Sequence, residues 1–139
     1  MQKQALIDKS SWPKGEWNNE PDREEWIDSY SGYKCEIIRH EHLGSLCGYV
    51  TITFGHPYFR KKYNEIDIDV HGGLTYGTSH KNLLTWVLGF DCAHLNDVCP
   101  GMPIFAGEIE YKTYKSWDYV KDQVVYLAHQ LKSVEKKAV

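Results

Sequence analysis

Leu83-Leu-Thr-Trp-Val-Leu-Gly-Phe90 is an almost unbroken apolar run of strand length, and such a run reads as a central β-strand covered on both faces. Toward the N-terminus lies Glu65-Ile-Asp-Ile-Asp-Val-His71, in which polar and apolar residues alternate strictly. On a strand, Glu65, Asp67, Asp69 and His71 would share one face and Ile66, Ile68 and Val70 the other. Gly72-Gly73 ends or bends this segment. Further back, Tyr49, Thr51 and Thr53 alternate with Val50, Ile52 and Phe54 over Leu46 to Phe54, a third strand. Glu25–Ser29 and Tyr33–Arg39 flank Tyr30-Ser31-Gly32, which predicts a β-hairpin. Toward the C-terminus, Asn96-Asp97, Pro100, Gly101 and Pro103 mark a loop. Ser116 then stands as N-cap of a helix running to Val134, with Trp117, Val120, Val124, Leu127, Leu131 and Val134 at three- and four-residue spacing.

These elements predict an α+β fold: a single, mainly antiparallel, twisted sheet of five or six strands, with the C-terminal amphipathic helix packed on one face. Residues 1–22 hold Pro13, Gly15, Asn18, Asn19 and Pro21 amid charges and read as an irregular arm pinned by Trp12 and Trp17. Residues 23–139 form one domain, a size that buries a core without disulfide or metal.

Composition narrows the function classes. The net charge is −3, which argues against a nucleic-acid partner, because a phosphate-binding surface needs a basic footprint. No stretch is long and apolar enough for a membrane span, and no leader pattern opens the chain, so a cytoplasmic location is expected. The cysteines Cys35, Cys47, Cys92 and Cys99 are then reduced. Aromatic residues make up 14% of the chain and either fill the core or line a binding surface. Only three arginines, Arg23, Arg39 and Arg60, stand beside thirteen lysines; each is a candidate for a fixed contact with a carboxylate or phosphate.

Two segments place imidazole and carboxylate at strand ends: Asp69-Val-His71-Gly-Gly and Asp91-Cys-Ala-His94-Leu-Asn-Asp97. Convergence of the two requires the strands to be neighbours with coincident ends. As a ligand site, His71, Gly72, Gly73, Thr75, Asp91 and His94 would surround the polar part of a nucleotide-like molecule, with Tyr49 and Trp86 against its ring. No cofactor is needed for such a site. As a metal centre, Asp69, His71, Asp91, His94 and Asp97 would supply ligands and a general base for a metal-dependent hydrolase of a phosphoester or nucleotide. The spacing matches no standard metal signature, and a zinc site from Cys47, Cys92, His94 and Cys99 lacks a Cys-x-x-Cys pair. Cys92 with His94 and Asp97 is a weak candidate for nucleophilic catalysis. The acidic row of Glu65, Asp67 and Asp69 also suits an inhibitor that occupies a basic partner. Residue by residue, the alternative is structural: Asp91 and Asp97 capping turns, His94 a satisfied core imidazole, and His40, His42, His80 and His129 on the surface.

The series Leu46-Cys-Gly-Tyr-Val50, Gly55-His-Pro57, Asp69-Val-His-Gly-Gly-Leu-Thr75, Trp86-Val-Leu-Gly-Phe-Asp-Cys-Ala-His94 with Asp97 and Pro100-Gly101, and Tyr119-Val-x-x-x-Val-x-x-Leu-Ala-x-Gln-Leu131 resembles a family of small accessory proteins encoded by phages and prophages. The resemblance runs from about Pro21 to Leu131 and carries over no site residue. It implies a protein made in an infected bacterial cell, similar in role to counter-defence factors that sequester or destroy nucleotide signals. Sequestration of a small nucleotide-derived ligand by a homo-oligomer is the reading these expectations favour. Turnover by a metal enzyme is its rival.

Overall fold

In the computed structural model, which describes residues 2–4, 7–79 and 82–138, six strands and one helix account for the architecture. The strands are β1 (Gln2–Gln4), β2 (Arg23–Ile27), β3 (Lys34–Arg39), β4 (Leu46–Thr53), β5 (Tyr76–Thr78) and β6 (Thr85–Asp91); the helix is α1 (Trp117–Lys137). They form one antiparallel sheet in the order β1-β2-β3-β4-β6-β5, with α1 against one face. This is the α+β class expected from the sequence. The hairpin of β2 and β3 closes through Asp28, which accepts from the backbone N–H of Ser31 at 2.8 Å and from its hydroxyl at 2.6 Å.

Alternation decides what faces the helix. Cys35, Ile37, Leu46, Val50, Ile52, Leu88 and Phe90 are buried on that side, against Val120, Val124, Leu127, Ala128 and Leu131 of α1. Gly48 belongs to the same face: a Cβ there would stand 2.5 Å from Val124 and 2.6 Å from Phe90, so its absence lets the helix approach the sheet closely. Ser116 caps the helix, its hydroxyl accepting from the Tyr119 N–H at 3.3 Å.

Three expectations need correction. The apolar run at Leu83 is not a central strand covered on both faces. Leu83 and Leu84 are exposed turn residues, and β6 has the three-residue edge strand β5 as one neighbour. Second, Glu65–His71 does not enter the sheet. Tyr63–Glu65 is a 3-10 turn, and the extended chain that follows lies across α1. Its backbone groups are satisfied by glutamine side chains instead of a neighbouring strand: Gln130 accepts from the Asp69 N–H at 2.9 Å and donates to the Asp69 carbonyl at 2.6 Å, and Gln123 accepts from the His71 N–H at 2.8 Å. The alternation survives, with Val70 buried, Ile66 and Ile68 half-buried, and Glu65, Asp67 and Asp69 exposed. The three acids thus form no charged face of a sheet.

Third, residues 1–22 are more than an irregular arm. Gln2–Gln4 pairs with β2, and Glu20 and Asp22 clamp a buried arginine. The Arg39 side chain is 0% exposed, and each of its five N–H groups has an acceptor: Asp22, the Gly44 carbonyl, the Tyr114 hydroxyl, Glu20 and the Pro21 carbonyl, all at 2.8–3.0 Å. Arg39 is therefore the fixed carboxylate contact that the scarcity of arginine suggested, and it ties the arm to the sheet and to the segment before α1.

Asp22 also accepts from the Ile7 N–H at 2.9 Å and pairs with Lys9 at 2.6 Å. Burial pushes its carboxyl up, but the bonds from Lys9, Ile7 and Arg39 outweigh burial and hold it below the ordinary aspartate range. A depressed folded-state pKa gives stability that is present above the unfolded value and lost as pH falls through the folded one. Asp22→Asn should cost about 3 kcal/mol at neutral pH, as for a broken buried pair. Urea unfolding should also show a shallower decline for the variant than for the native chain as the pH is lowered below about 4, where aspartates titrate.

Candidate functional site

His71 and His94 converge on one buried carboxylate. The glutamine-held segment delivers His71 to the N-terminal end of α1, while the turn after β6 brings His94 and Asp97. Asp97 is 1% exposed. Its Oδ2 stands 2.9 Å from His71 Nε2 and 3.2 Å from His94 Nδ1, and accepts from the His94 backbone N–H at 3.0 Å. Its Oδ1 pairs with Lys115 Nζ at 3.0 Å. Burial pushes this carboxyl up, but His71, the His94 amide and Lys115 prevail and bring it down to about 2. Asp97 thus stays ionised at the centre of the cluster.

The loop that carries it is fixed from outside. Asp97 bridges to Thr113, with the Val98 N–H donating to the Thr113 carbonyl and the Thr113 N–H to the Asn96 carbonyl, both at 2.9 Å. Lys115 Nζ has further acceptors in the Thr113 carbonyl at 3.1 Å, the Asn96 carbonyl at 3.3 Å and the Thr113 hydroxyl. The Tyr119 hydroxyl lies 2.8 Å from His71 Nδ1, so the two His71 nitrogens face a carboxylate on one side and a hydroxyl on the other. Asp97 is the base of the arrangement, His71 is mostly enclosed, and the His94 side chain keeps 36% of its surface.

The Gly72-Gly73 pair has a steric task. Both residues have positive φ, +67° and +80°, and a Cβ on Gly72 would meet the His94 ring at 2.2 Å. Glycine is what lets the turn pass beside that ring. Gly73 closes the turn through its N–H to the Val70 carbonyl at 2.8 Å.

The remaining candidates fall in other places. Asp91 accepts from the Thr75 hydroxyl at 2.9 Å and from the Ala93 N–H at 3.0 Å, and its Oδ1 is 3.8 Å from His94 Nδ1, so it stands at the rim of the cluster. It caps a turn, as the structural alternative had it, and remains available on the open side of the sheet. Asp69 is not in the cluster; it is at the helix, where Tyr126 donates to it at 3.3 Å. Trp86 is on the covered face, edge-on to Phe59, and cannot share a ligand with Tyr49, which is on the uncovered face. Strand parity, invisible until register is known, separates them.

Tyr49 has a different aromatic neighbour. Register aligns Tyr49, Gly89 and Tyr76 across β4, β6 and β5, and the two tyrosine rings meet edge to face at 5.5 Å above the glycine. A Cβ on Gly89 would stand 2.5 Å from the Tyr49 ring. A hollow of about 620 Å³ opens here, lined by Ile38, Tyr49, Thr51, Tyr76 and Val87 with Arg23, Lys34 and Glu36 at its edge. A second hollow of about 410 Å³ shares Tyr49 and Tyr76 and reaches Thr75, Asp91 and His40. The two hollows meet at Tyr49 and Tyr76 and together form a trough along the uncovered face that reaches Asp91.

The cysteines are poorly placed as nucleophiles. Burial pushes the Cys92 thiol well above its ordinary range and the Cys47 thiol up to about 11, which favours the protonated thiol over the thiolate. Among the described residues, the group placed to hold a metal ion is His71, His94 and Asp97, with no cysteine. His40, His42 and His129 are exposed; His80 lies outside the described residues. His56, which the sequence reading passed over, is buried, with Nε2 on the Leu131 carbonyl at 2.8 Å and Nδ1 accepting from the Tyr58 N–H at 2.9 Å.

Comparison with protein-family models, with curated proteins and with solved structures gave no match. No helix among the described residues is long and apolar enough to cross a membrane.

Gly72→Ala tests the steric reading directly. The added methyl should displace the His94 ring while leaving the sheet intact: far-UV circular dichroism unchanged, the His94 imidazole resonances shifted, and stability lowered by about 1–3 kcal/mol from the strained φ and the contact. Unmoved His94 resonances would count against it.

Proposed function

We propose that this chain binds and sequesters a small, flat-ringed, anionic ligand of the nucleotide class in the trough on the uncovered face of the sheet, acting as a phage-encoded counter-defence protein in the bacterial cytoplasm. The observation that carries this reading is the Tyr49–Tyr76 pair at the floor of a hollow of about 620 Å³, a volume in the range of small-molecule sites. Stacking on tyrosine offers affinity for any nucleobase without demanding one base.

Polar groups flank that floor on both sides. Arg23 and Lys34 pair with Glu36 at 2.5 Å and Glu25 at 3.2 Å, and these side chains keep roughly half of their cationic surface in water. Exposed pairs contribute little, so a phosphate can take over their cations at small cost. Thr75 and Asp91 at the other end suit ribose hydroxyls or a base edge. Of the polar contacts expected from the sequence, His71, Gly72 and His94 belong on this account to a neighbouring site, with Gly73 in the turn beside it; Tyr49, Thr75 and Asp91 stay with the ligand, joined by Tyr76.

Incubation with cyclic dinucleotides and ADP-ribose derivatives, followed by heat denaturation and analysis of the supernatant, tests the reading. Depletion of the free ligand before heating and its intact release afterwards is the expected result. Tyr49→Ala should weaken binding about tenfold, the contribution of one stacked ring. A chemically altered product would replace sequestration by catalysis, and no depletion of any member of the panel would end the proposal.

A further inference from the structure

We propose that His71 Nε2, His94 Nδ1 and Asp97 Oδ2 form a three-ligand site for a borderline divalent cation of the Zn(II) type, with its fourth position open to solvent. One donor atom from each of the three residues lies within 4.8 Å of the others. Two of the separations are 2.9 Å and 3.2 Å, both measured from the same carboxylate oxygen. Ligand bonds of about 2.0–2.1 Å in a tetrahedron place neighbouring donor atoms about 3.3–3.4 Å apart. These two separations thus stand a few tenths of an ångström from the spacing the ion requires, the two imidazoles would close on it from within 4.8 Å of each other, and the donor set of two imidazoles and one carboxylate suits zinc more than calcium or magnesium.

The surroundings support this assignment. A metal-bound imidazole characteristically donates its second ring N–H to a fixed acceptor, and the Tyr119 hydroxyl is 2.8 Å from His71 Nδ1. When Nε2 gives its lone pair to the ion, the proton of the neutral ring resides on Nδ1, and the hydroxyl turns from donor to acceptor. His94 would bind in the same way through Nδ1, with its proton on Nε2. Lys115 pairs with Asp97 Oδ1 at 3.0 Å, which also lies 3.1 Å from His71 Nε2, and the His94 amide donates to Oδ2 at 3.0 Å, so the carboxylate is held against both imidazoles.

Access comes from a hollow of about 520 Å³ bounded by Gly72, His94, Asn96 and Tyr111, distinct from the tyrosine trough. An ion there would present its open position to that hollow, where it could hold a water or an anionic oxygen. The inference does not rest on ligand binding at Tyr49.

Chelator-stripped protein titrated with Co(II), then with Zn(II) as competitor, provides the test. The expected result is one equivalent per chain, with the visible ligand-field absorption of a four-coordinate nitrogen and oxygen site. His94→Ala, at a half-exposed position, should bind at least about tenfold more weakly while keeping its circular dichroism. Tyr119→Phe, which leaves every ligand in place, should weaken binding about tenfold, as loss of an outer-shell partner does. Tyr49→Ala should bind the ion as the native chain does, so the trough and the metal site can fail separately. Less than one equivalent bound, a thiolate-to-cobalt charge-transfer band, or a His94→Ala variant that binds like the native chain would each overturn the assignment.

Discussion

One helix cannot cover a six-stranded sheet. At about 4.8 Å between strands the sheet is roughly 24 Å wide, whereas a helix with its side chains is about 10 Å across. The remaining apolar surface must be covered by something else, and the chain uses its connections. The extended segment through Ile66, Ile68 and Val70 packs against the core beside α1, and Glu20 and Asp22 seal the opposite side over Arg39. The opposite face is left without a layer, and its parity explains the contents: Tyr49, Thr51, Thr85 and Asp91 on that side against Val50, Ile52, Leu88 and Phe90 on the other. The hollow at Tyr49 and Tyr76 on bare sheet and the His71–His94–Asp97 cluster at the end of the covering layer both follow from this shortage of helix.

Much of this was legible before the structure. The hairpin, β4, the core-facing half of β6 and the capped helix all follow from period and punctuation, because burial on one face imposes those patterns directly. What failed did so for a stated physical reason. Alternation at Glu65–His71 reports alternating burial, which an extended chain on a helix shows as well as a strand does. The hydrogen-bond partners that distinguish the two are Gln123 and Gln130, more than fifty residues away. Gln2–Gln4 and Tyr76–Thr78 are too short and too polar to register as strands.

The candidate site was half visible. His71, Gly72, Asp91, His94 and Asp97 stood out because imidazole, carboxylate and glycine cluster at segment ends, and His71, Gly72, His94 and Asp97 do meet, with Asp91 at the rim. Lys115 and Tyr119 left no local trace, since each arrives from the start of α1. Tyr119 is off the apolar stripe of the helix, which marks it as facing something other than the core. Trp86 shows the converse: its ring suited a stacking role beside Tyr49, but parity places the two on opposite faces of the sheet.

The amide clasp of Gln123 and Gln130 on the chain leading to His71 has a consequence for how the imidazole pair is supported. A strand in a sheet shares its backbone ladder with its neighbours, whereas this segment is held by two glutamine side chains, by the burial of Val70 beside Ile66 and Ile68, and by the bonds of His71 to Asp97 and Tyr119. Side-chain amides thus do here the work that a backbone ladder does in the sheet. The two imidazoles therefore reach Asp97 on different supports: His71 on a clasped extended segment, His94 on the turn after β6 that Thr113 anchors.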